Sequence, residues 1–315
     1  MTGSIKKGKR RSFWRELSQY RTLLMMLLPA IVIIFIFAYL PMSGVVLAFK
    51  RYRYADGIWG SPWTKGAFDN FRFFFLSGKA WMVTRNTFLY NLAFIAVNTS
   101  LAVAFAIILN EMRSKLLRSF TQSVLFLPYF VSWVIVGSIA YNLFNYENGM
   151  LNGMIRFFGC EPVNLYGTPG AWPWLILLFN AWKSVGYATV VYLAAVTGID
   201  DHLYEAAEID GANVFQRIRN VTLPSIRPTM ITLVLLDVSK IFRGNFDLFY
   251  QLIGKNGALY NATDVIDTFV FRALIQSSDT GMAAAAGLYQ SVLCFVTIMV
   301  VNTAVRRINT DYALF

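Results

Sequence analysis

EAAEIDGANVFQRIRNVTLP, running from Glu205 to Pro224, is a charged interruption in a chain that is otherwise mostly apolar. Hydrophobic runs of membrane-crossing length flank it, at about Trp172–Thr197 before and about Thr229–Ile253 after. An ordinary helix–helix connection takes roughly 2–8 residues, whereas Ile199 to Arg227 is 29 residues long. Either the insert is an oversized turn, or something docks on it. Its local signals describe two short helices at an angle. Glu205 to Asp210 are helix formers, and Gly211 can take the left-handed conformation that stops a helix. Val214, Phe215, Ile218 and Val221 then share one apolar face, and Pro224 and Pro228 are expected to end the segment.

Around the insert, composition names the solvent. The 315 residues are 57% hydrophobic and only 14% charged, against roughly 25% charged in a soluble domain. Six spans follow from the hydropathy pattern: Leu23–Leu40, then about Thr87–Leu109, Phe120–Phe144, Trp172–Thr197, Thr229–Ile253 and Ala283–Val305. The expected fold is therefore an all-α integral membrane protein with six transmembrane helices. With the N-terminus in the cytoplasm, Arg113, Lys115 and Arg118, the insert's Arg217, Arg219 and Arg227, and the tail's Arg306 and Arg307 all fall on the cytoplasmic side. The net charge of +11 is thus read as basic residues gathered at a bilayer face, with no nucleic-acid partner. The run ahead of the first span is basic, and its Phe13, Trp14, Leu17 and Tyr20 share a helical face. An interfacial helix and a disordered basic tail both fit it. Pro41 to about Arg85 is an external loop with short helices, itself basic.

Two cysteines, Cys160 and Cys294, make neither a disulfide framework nor a metal site, and a single histidine, His202, excludes histidine-based metal or triad chemistry. The phosphate-cradling GxxxxGK[ST] pattern is absent, since Gly254–Lys255 lacks the earlier glycine and the Ser/Thr. The chain is expected to bind no cofactor and to be no enzyme.

Glu205, Ala206, Ala207, Asp210, Gly211, Ala212, Phe215, Ile218, Leu223 and Pro224 resemble the EAA signature, roughly EAAxxDGAxxxxxFxxIxLP, of permease subunits of binding-protein-dependent ABC importers. Phe215 sits earlier than the phenylalanine of that pattern. Asp237–Tyr250 (DVSKIFRGNFDLFY) and Thr263–Leu274 (TDVIDTFVFRAL) further resemble the polysaccharide branch of the family, which includes alginate and pectic oligosaccharide permeases. The resemblance covers almost the whole chain. It implies a type I importer permease in the bacterial inner or plasma membrane, both termini cytoplasmic. The insert would dock on an ATPase subunit and drive alternating access. The implied partners are a second, similar permease, a dimer of ATPase subunits that carry ATP and Mg, an extracytoplasmic solute-binding protein, and membrane lipid. In those terms residues 1–22 are a cytoplasmic basic segment, and 23–84 the first helix with its long external loop. Residues 85–307 are a five-helix core carrying the coupling loop at 199–227, and 308–315 a cytoplasmic tail.

Charges inside spans are costly and usually face water or one another. Asp237, Lys240, Gly244 and Asp247 fall on one stripe of the fifth span, with Arg243 beside it. Pairing of Asp237 with Lys240 and of Arg243 with Asp247 competes with a polar lining for a hydrophilic solute. Asn180, Trp182, Lys183 and Tyr187 on the fourth span and Asn91 on the second complete the candidate path. Gly281–Gly287 (GMAAAAG) permits close helix packing, between subunits or within the bundle, with lining of the pathway as the other reading. The expected cargo is an oligo- or polysaccharide, with an acidic uronate chain as the finer expectation. A neutral sugar or other polar solute, and an ion-coupled secondary transporter, are the alternatives. The latter would give the insert no role.

Overall fold

The computed structural model describes residues 20–66, 68–76 and 78–308. The aromatic face expected from Phe13 to Tyr20 lies, except for Tyr20, outside the described residues. Those residues are helical throughout apart from turns and one isolated antiparallel bridge, Lys50 with Trp63. Among the described residues, five helices are long and apolar enough to cross a bilayer. They are α1 (Arg21–Phe49), α3 (Lys79–Glu111), α7 (Pro169–Thr197), α9 (Val214–Val238) and α12 (Thr280–Arg307). A sixth crossing is divided between α4 (Lys115–Phe130) and α5 (Trp133–Phe144), which meet at 93°. Shorter helices are α2 (Asp69–Leu76), α6 (Met150–Phe157), α8 (Asp201–Ile209), α10 (Phe246–Ile253) and α11 (Ile266–Ile275).

Helix α1 changes winding along its length, from α to π at Phe35–Tyr39 and to 3-10 at Leu40–Phe49. None of its residues up to Tyr39 is buried, and Leu23, Met25 and Met26 are 63%, 70% and 74% exposed. An apolar surface of that extent needs lipid or another protein around it. Three buried clusters organise the rest. One joins α3, α5, α7 and α10 through Tyr90, Phe94, Val136, Trp172, Leu248 and Phe249. A second joins α2, α3, α11 and α12, and there Ala283 and Ala286 of the small-residue run are buried. That run therefore packs within the bundle. The third joins α3, α7 and α9 at the insert end, through Ala102, Ala106, Tyr192, Val196 and Ile226.

Three expectations need correction. The span expected at Phe120–Phe144 is broken at Leu127–Ser132, where Pro128 withdraws a backbone donor. The span expected at Thr229–Ile253 is also broken. Helix α9 ends at Val238, residues 239–245 turn, and α10 begins at Phe246. The stripe drawn through Asp237, Lys240, Gly244 and Asp247 consequently does not exist as one helical face. Neither Asp237–Lys240 nor Arg243–Asp247 is among the ion pairs of the described residues. Finally, Pro224 and Pro228 do not stop a helix. Helix α9 runs through both, and a π-wound turn at Ile218–Thr222 lies immediately ahead of Pro224. Wide turns of this kind accommodate a residue that cannot join the regular ladder.

Candidate functional site: a polar cleft and a braced insert

Two continuous helices, α3 and α7, make the largest helix–helix contact of the fold, and each repairs one break. At residues 239–245 the unwound backbone would leave carbonyls without donors, which is costly in an apolar medium. Asn91 of α3 supplies them, its Nδ2 donating to Ile241 O at 2.9 Å and Arg243 O at 3.1 Å. Gln290 of α12 donates to Phe242 O at 2.9 Å and to Asp267 Oδ2 at 2.8 Å, and Asp267 also accepts the Gly244 N–H at 2.6 Å. A Cβ on Gly244 would fall 2.7 Å from that carboxylate oxygen and 3.0 Å from the Val265 side chain, so a larger residue would have to displace the Asp267 carboxylate from this bond. Burial pushes the Asp267 carboxyl up, and the Gly244 N–H and the Gln290 amide oppose it by favouring the charged form.

This repaired break forms one wall of a cleft of about 310 Å³. Asn91, Asn98, Phe94 and Ile95 of α3, Asn180 of α7, Asp237 of α9 and Lys240, Arg243, Gly244 and Asn245 of the turn line it. Asn98 donates to Asn180 Oδ1 at 2.9 Å, and its own Oδ1 is buried without a donor among the described residues. Such an acceptor costs free energy until something donates to it. Asp237, Lys240 and Arg243 are exposed, all aimed into one small volume. The surface they make offers amides, both charge signs and two apolar side chains to a polar solute.

Five of the nine path candidates thus converge: Asn91, Asn180, Asp237, Lys240 and Arg243. The others lie elsewhere. Lys183 donates to Tyr129 O at 2.8 Å and Val131 O at 2.6 Å, and lies 5.3 Å from the Trp133 ring centre. It holds the carbonyls freed by the α4–α5 break. Tyr187 stacks on Tyr129 with centroids 4.9 Å apart, Trp182 is 45% exposed away from the cleft lining, and Asp247 sits in the first turn of α10. An acid there suits the positive end of the helix.

At the other end of α7 the insert is a braced elbow. Asp200 caps α8 by accepting the His202 N–H at 3.0 Å. The helix carries Glu205, Ala206 and Ala207 and closes after Asp210 on Gly211, whose φ is +76°. Ala212 N–H reaches back to Ala207 O at 2.9 Å and Gly211 N–H to Glu208 O at 3.0 Å, as a left-handed helix stop requires. Asn213 and Gln216 then exchange side-chain-to-backbone bonds at 3.0 and 2.8 Å and start α9. The two helices are tied by Arg217, which pairs with Glu208 of α8 and lies 3.7 Å from Glu111 at the end of α3. Tyr204 and Thr222 hydroxyls meet at 3.0 Å. Outward, Ile209 and Phe215 are 87% and 83% exposed, whereas Ile218 and Leu223 pack inward on the third cluster. The exposed apolar knob is therefore Ile209 and Phe215 with Val214 beside them, smaller than the full ridge the helical spacing implies. Sequence reasoning missed Gln290, Asp267, Glu111 and the role of Arg217. A glutamine inside the last apolar span was the one signal on offer.

Comparison with known proteins bears on both features. Residues 98–310 match the family described as binding-protein-dependent transport system inner membrane component. The chain is 30% identical over 307 residues to the polygalacturonan/rhamnogalacturonan transport system permease protein YteP of Bacillus subtilis (strain 168), covering 98% of this chain and 94% of that protein. The crystal structure of a bacterial ABC transporter involved in the import of the acidic polysaccharide alginate contains a chain that superposes with TM-score 0.84 at 31% identity, covering 94% of this chain and 99% of that one. A bacterial alginate ABC transporter in complex with an alginate pentasaccharide-bound periplasmic protein also matches, with TM-score 0.84, 30% identity and coverage of 95% and 98%.

Proposed function

Since the chain belongs to the binding-protein-dependent transport system inner membrane components, we propose that it is the permease subunit of an ATP-driven importer of acidic, uronate-containing oligo- or polysaccharides. The observation that carries the cargo class is the cleft. Asn98 and Asn180 offer amide groups there and Asn91 its amide oxygen, Ile95 supplies apolar surface beside the mostly buried Phe94, and Lys240 and Arg243 supply charge for carboxylates. The names of the relatives, which concern polygalacturonan and alginate, support the acidic reading. The elbow from Glu205 to Pro224 supports docking on an ATPase subunit, because Ile209 and Phe215 project from an otherwise acidic and braced tip. In this reading the insert end and both termini face the cytoplasm. A second permease closes the open side of the cleft, two ATPase subunits hold ATP and Mg, and a solute-binding protein delivers cargo to the far end.

The cycle we infer is alternating access. ATP closes the ATPase dimer, the docked elbow is displaced, and the cleft opens outward to receive the saccharide. Hydrolysis reverses the displacement and the cleft opens inward. The test is uptake by the reconstituted complex of galacturonate oligomers against neutral oligomers of equal length. ATP-dependent uptake with at least tenfold preference for the acidic set is expected, and Lys240→Gln with Arg243→Gln should lower that preference. Uptake that favours neutral glycans sinks the acidic assignment. Full uptake after deletion of the ATPase sinks the importer assignment.

A further inference from the structure

A cavity larger than the cleft, about 570 Å³, opens at the end of the molecule remote from the insert. Its frame is rigid. Gly137 lets α5 approach α10 at Gln251, where a Cβ would collide with backbone. Asn145 Oδ1 accepts the N–H groups of Glu147 and Asn148 at 2.9 and 3.0 Å, and Arg156 donates to the Glu147 carbonyl at 2.9 Å. Asn256 donates to the Tyr166 carbonyl at 2.8 Å. These bonds all fix backbone. The side-chain ends that line the space are left uncommitted: Tyr141, Tyr146 and Tyr166 hydroxyls, the Gln251 amide, the Glu147 carboxylate and the Lys255 ammonium make no hydrogen bond or ion pair among the described residues. Tyr141 and Tyr166 set their rings 6.0 Å apart at 55°, giving the cavity an angled aromatic wall.

A volume of this size is in the range that small ligands occupy. The lining selects among them. Flat aromatic faces ask for an apolar ring face, and three hydroxyls with an amide ask for a ligand rich in both donors and acceptors. A purely apolar ligand would strand the polar ends, and a compact ion would waste the rings. A saccharide ring satisfies both, and Lys255 suits one that bears a carboxylate. The cavity and the cleft sit at opposite ends of α10, since Gly244 and Asn245 precede that helix and Gly254 and Lys255 follow it. Eight helical residues span about 12 Å, more than one sugar ring. We propose that this tyrosine-walled cavity is an outer saccharide subsite of the permease, which holds one part of an oligosaccharide while another part lies in the cleft. The inference rests on the saccharide reading of the cleft.

Length dependence tests it. The full complex in proteoliposomes is offered galacturonate disaccharide and hexasaccharide, with wild type, Tyr146→Ala, and Tyr141→Ala combined with Tyr146→Ala. Loss of two stacking surfaces should raise the half-saturating hexasaccharide concentration about tenfold, and the disaccharide value by less than about twofold. Tyr→Phe at both sites should keep most of the wild-type value. Tyr146 is on a partly exposed loop outside the buried clusters, so the single variant covers the case in which the double variant fails to fold. Hexasaccharide uptake equal to wild type in both alanine variants overturns the subsite. So does an equal loss for both lengths with weaker capture of the solute-binding protein, which would mark a protein-docking face. A wild-type complex that imports neither probe overturns the saccharide reading beneath it.

Discussion

Arg217 is where the structure makes its most exacting demand. Its side chain is 17% exposed and faces two carboxylates, Glu208 on α8 and Glu111 on α3, which are 61% and 29% exposed. Exposed ion pairs are worth roughly 0–1 kcal/mol, and breaking a fully buried pair costs roughly 3–5 kcal/mol. A largely covered guanidinium with half-open partners falls between, so Arg217→Ala should loosen the seat of the elbow by about 2 kcal/mol. That is a factor of roughly thirty in the population of the braced arrangement. The brace connects α8 to the bundle, so in the proposed docking arrangement its loss should separate fuel from work. The assay is ATP hydrolysed per saccharide imported by the reconstituted complex. Uptake should fall several-fold while hydrolysis continues, and Glu111→Ala, which removes the longer contact of 3.7 Å, should have the smaller effect. Exchanging the charges, Glu111→Arg with Arg217→Glu, should restore part of the ratio. An unchanged ratio in Arg217→Ala would refute the reasoning, whatever happened to thermal stability.

Lys183→Met should strip the donors from the Tyr129 and Val131 carbonyls, which lipid cannot replace, and lower the unfolding midpoint in detergent by several degrees. Gly211→Val puts a β-branched residue at φ +76° and should weaken co-purification of the ATPase; Gly211→Asn, which tolerates that conformation, should retain it. Gly186→Ala should prevent accumulation of folded protein, because any Cβ there meets the Leu125 backbone; membrane yield by immunoblot reads this directly. Asn98→Ala should weaken saccharide binding to the complex with little change in stability, since removing its unpartnered buried Oδ1 offsets the donor lost to Asn180 Oδ1.

The helical class, the crossings and the elbow were legible in the sequence because each rests on local signals. Charge-free runs give length, Gly211 gives the left-handed stop, and Asn213 with Gln216 gives the restart. The two breaks were not legible. Residues 239–245 stay unwound because Asn91, Asp267 and Gln290, far apart in the chain, supply the partners that a helix would have supplied itself. A lysine in an apolar run is expensive, which points to a path residue; Lys183 instead holds carbonyls, and so meets the same cost by another route. Asp237, Lys240 and Arg243 line one cleft, though not by the helical stripe their spacing implies. They share a cleft because the chain turns between them, not because a helix aligns them.

Helix α9 begins at the elbow and runs 25 residues to Val238, with Asp237 of its last turn in the cleft. Its length is about 37 Å, and the one irregular turn, Ile218–Thr222, lies close to the elbow. A tilt of about 10° around its midpoint would carry the cleft end through about 3 Å, enough to remake every hydrogen bond there. Push and response are then two ends of one stiff rod, and no chain of side-chain rearrangements has to carry the message between them.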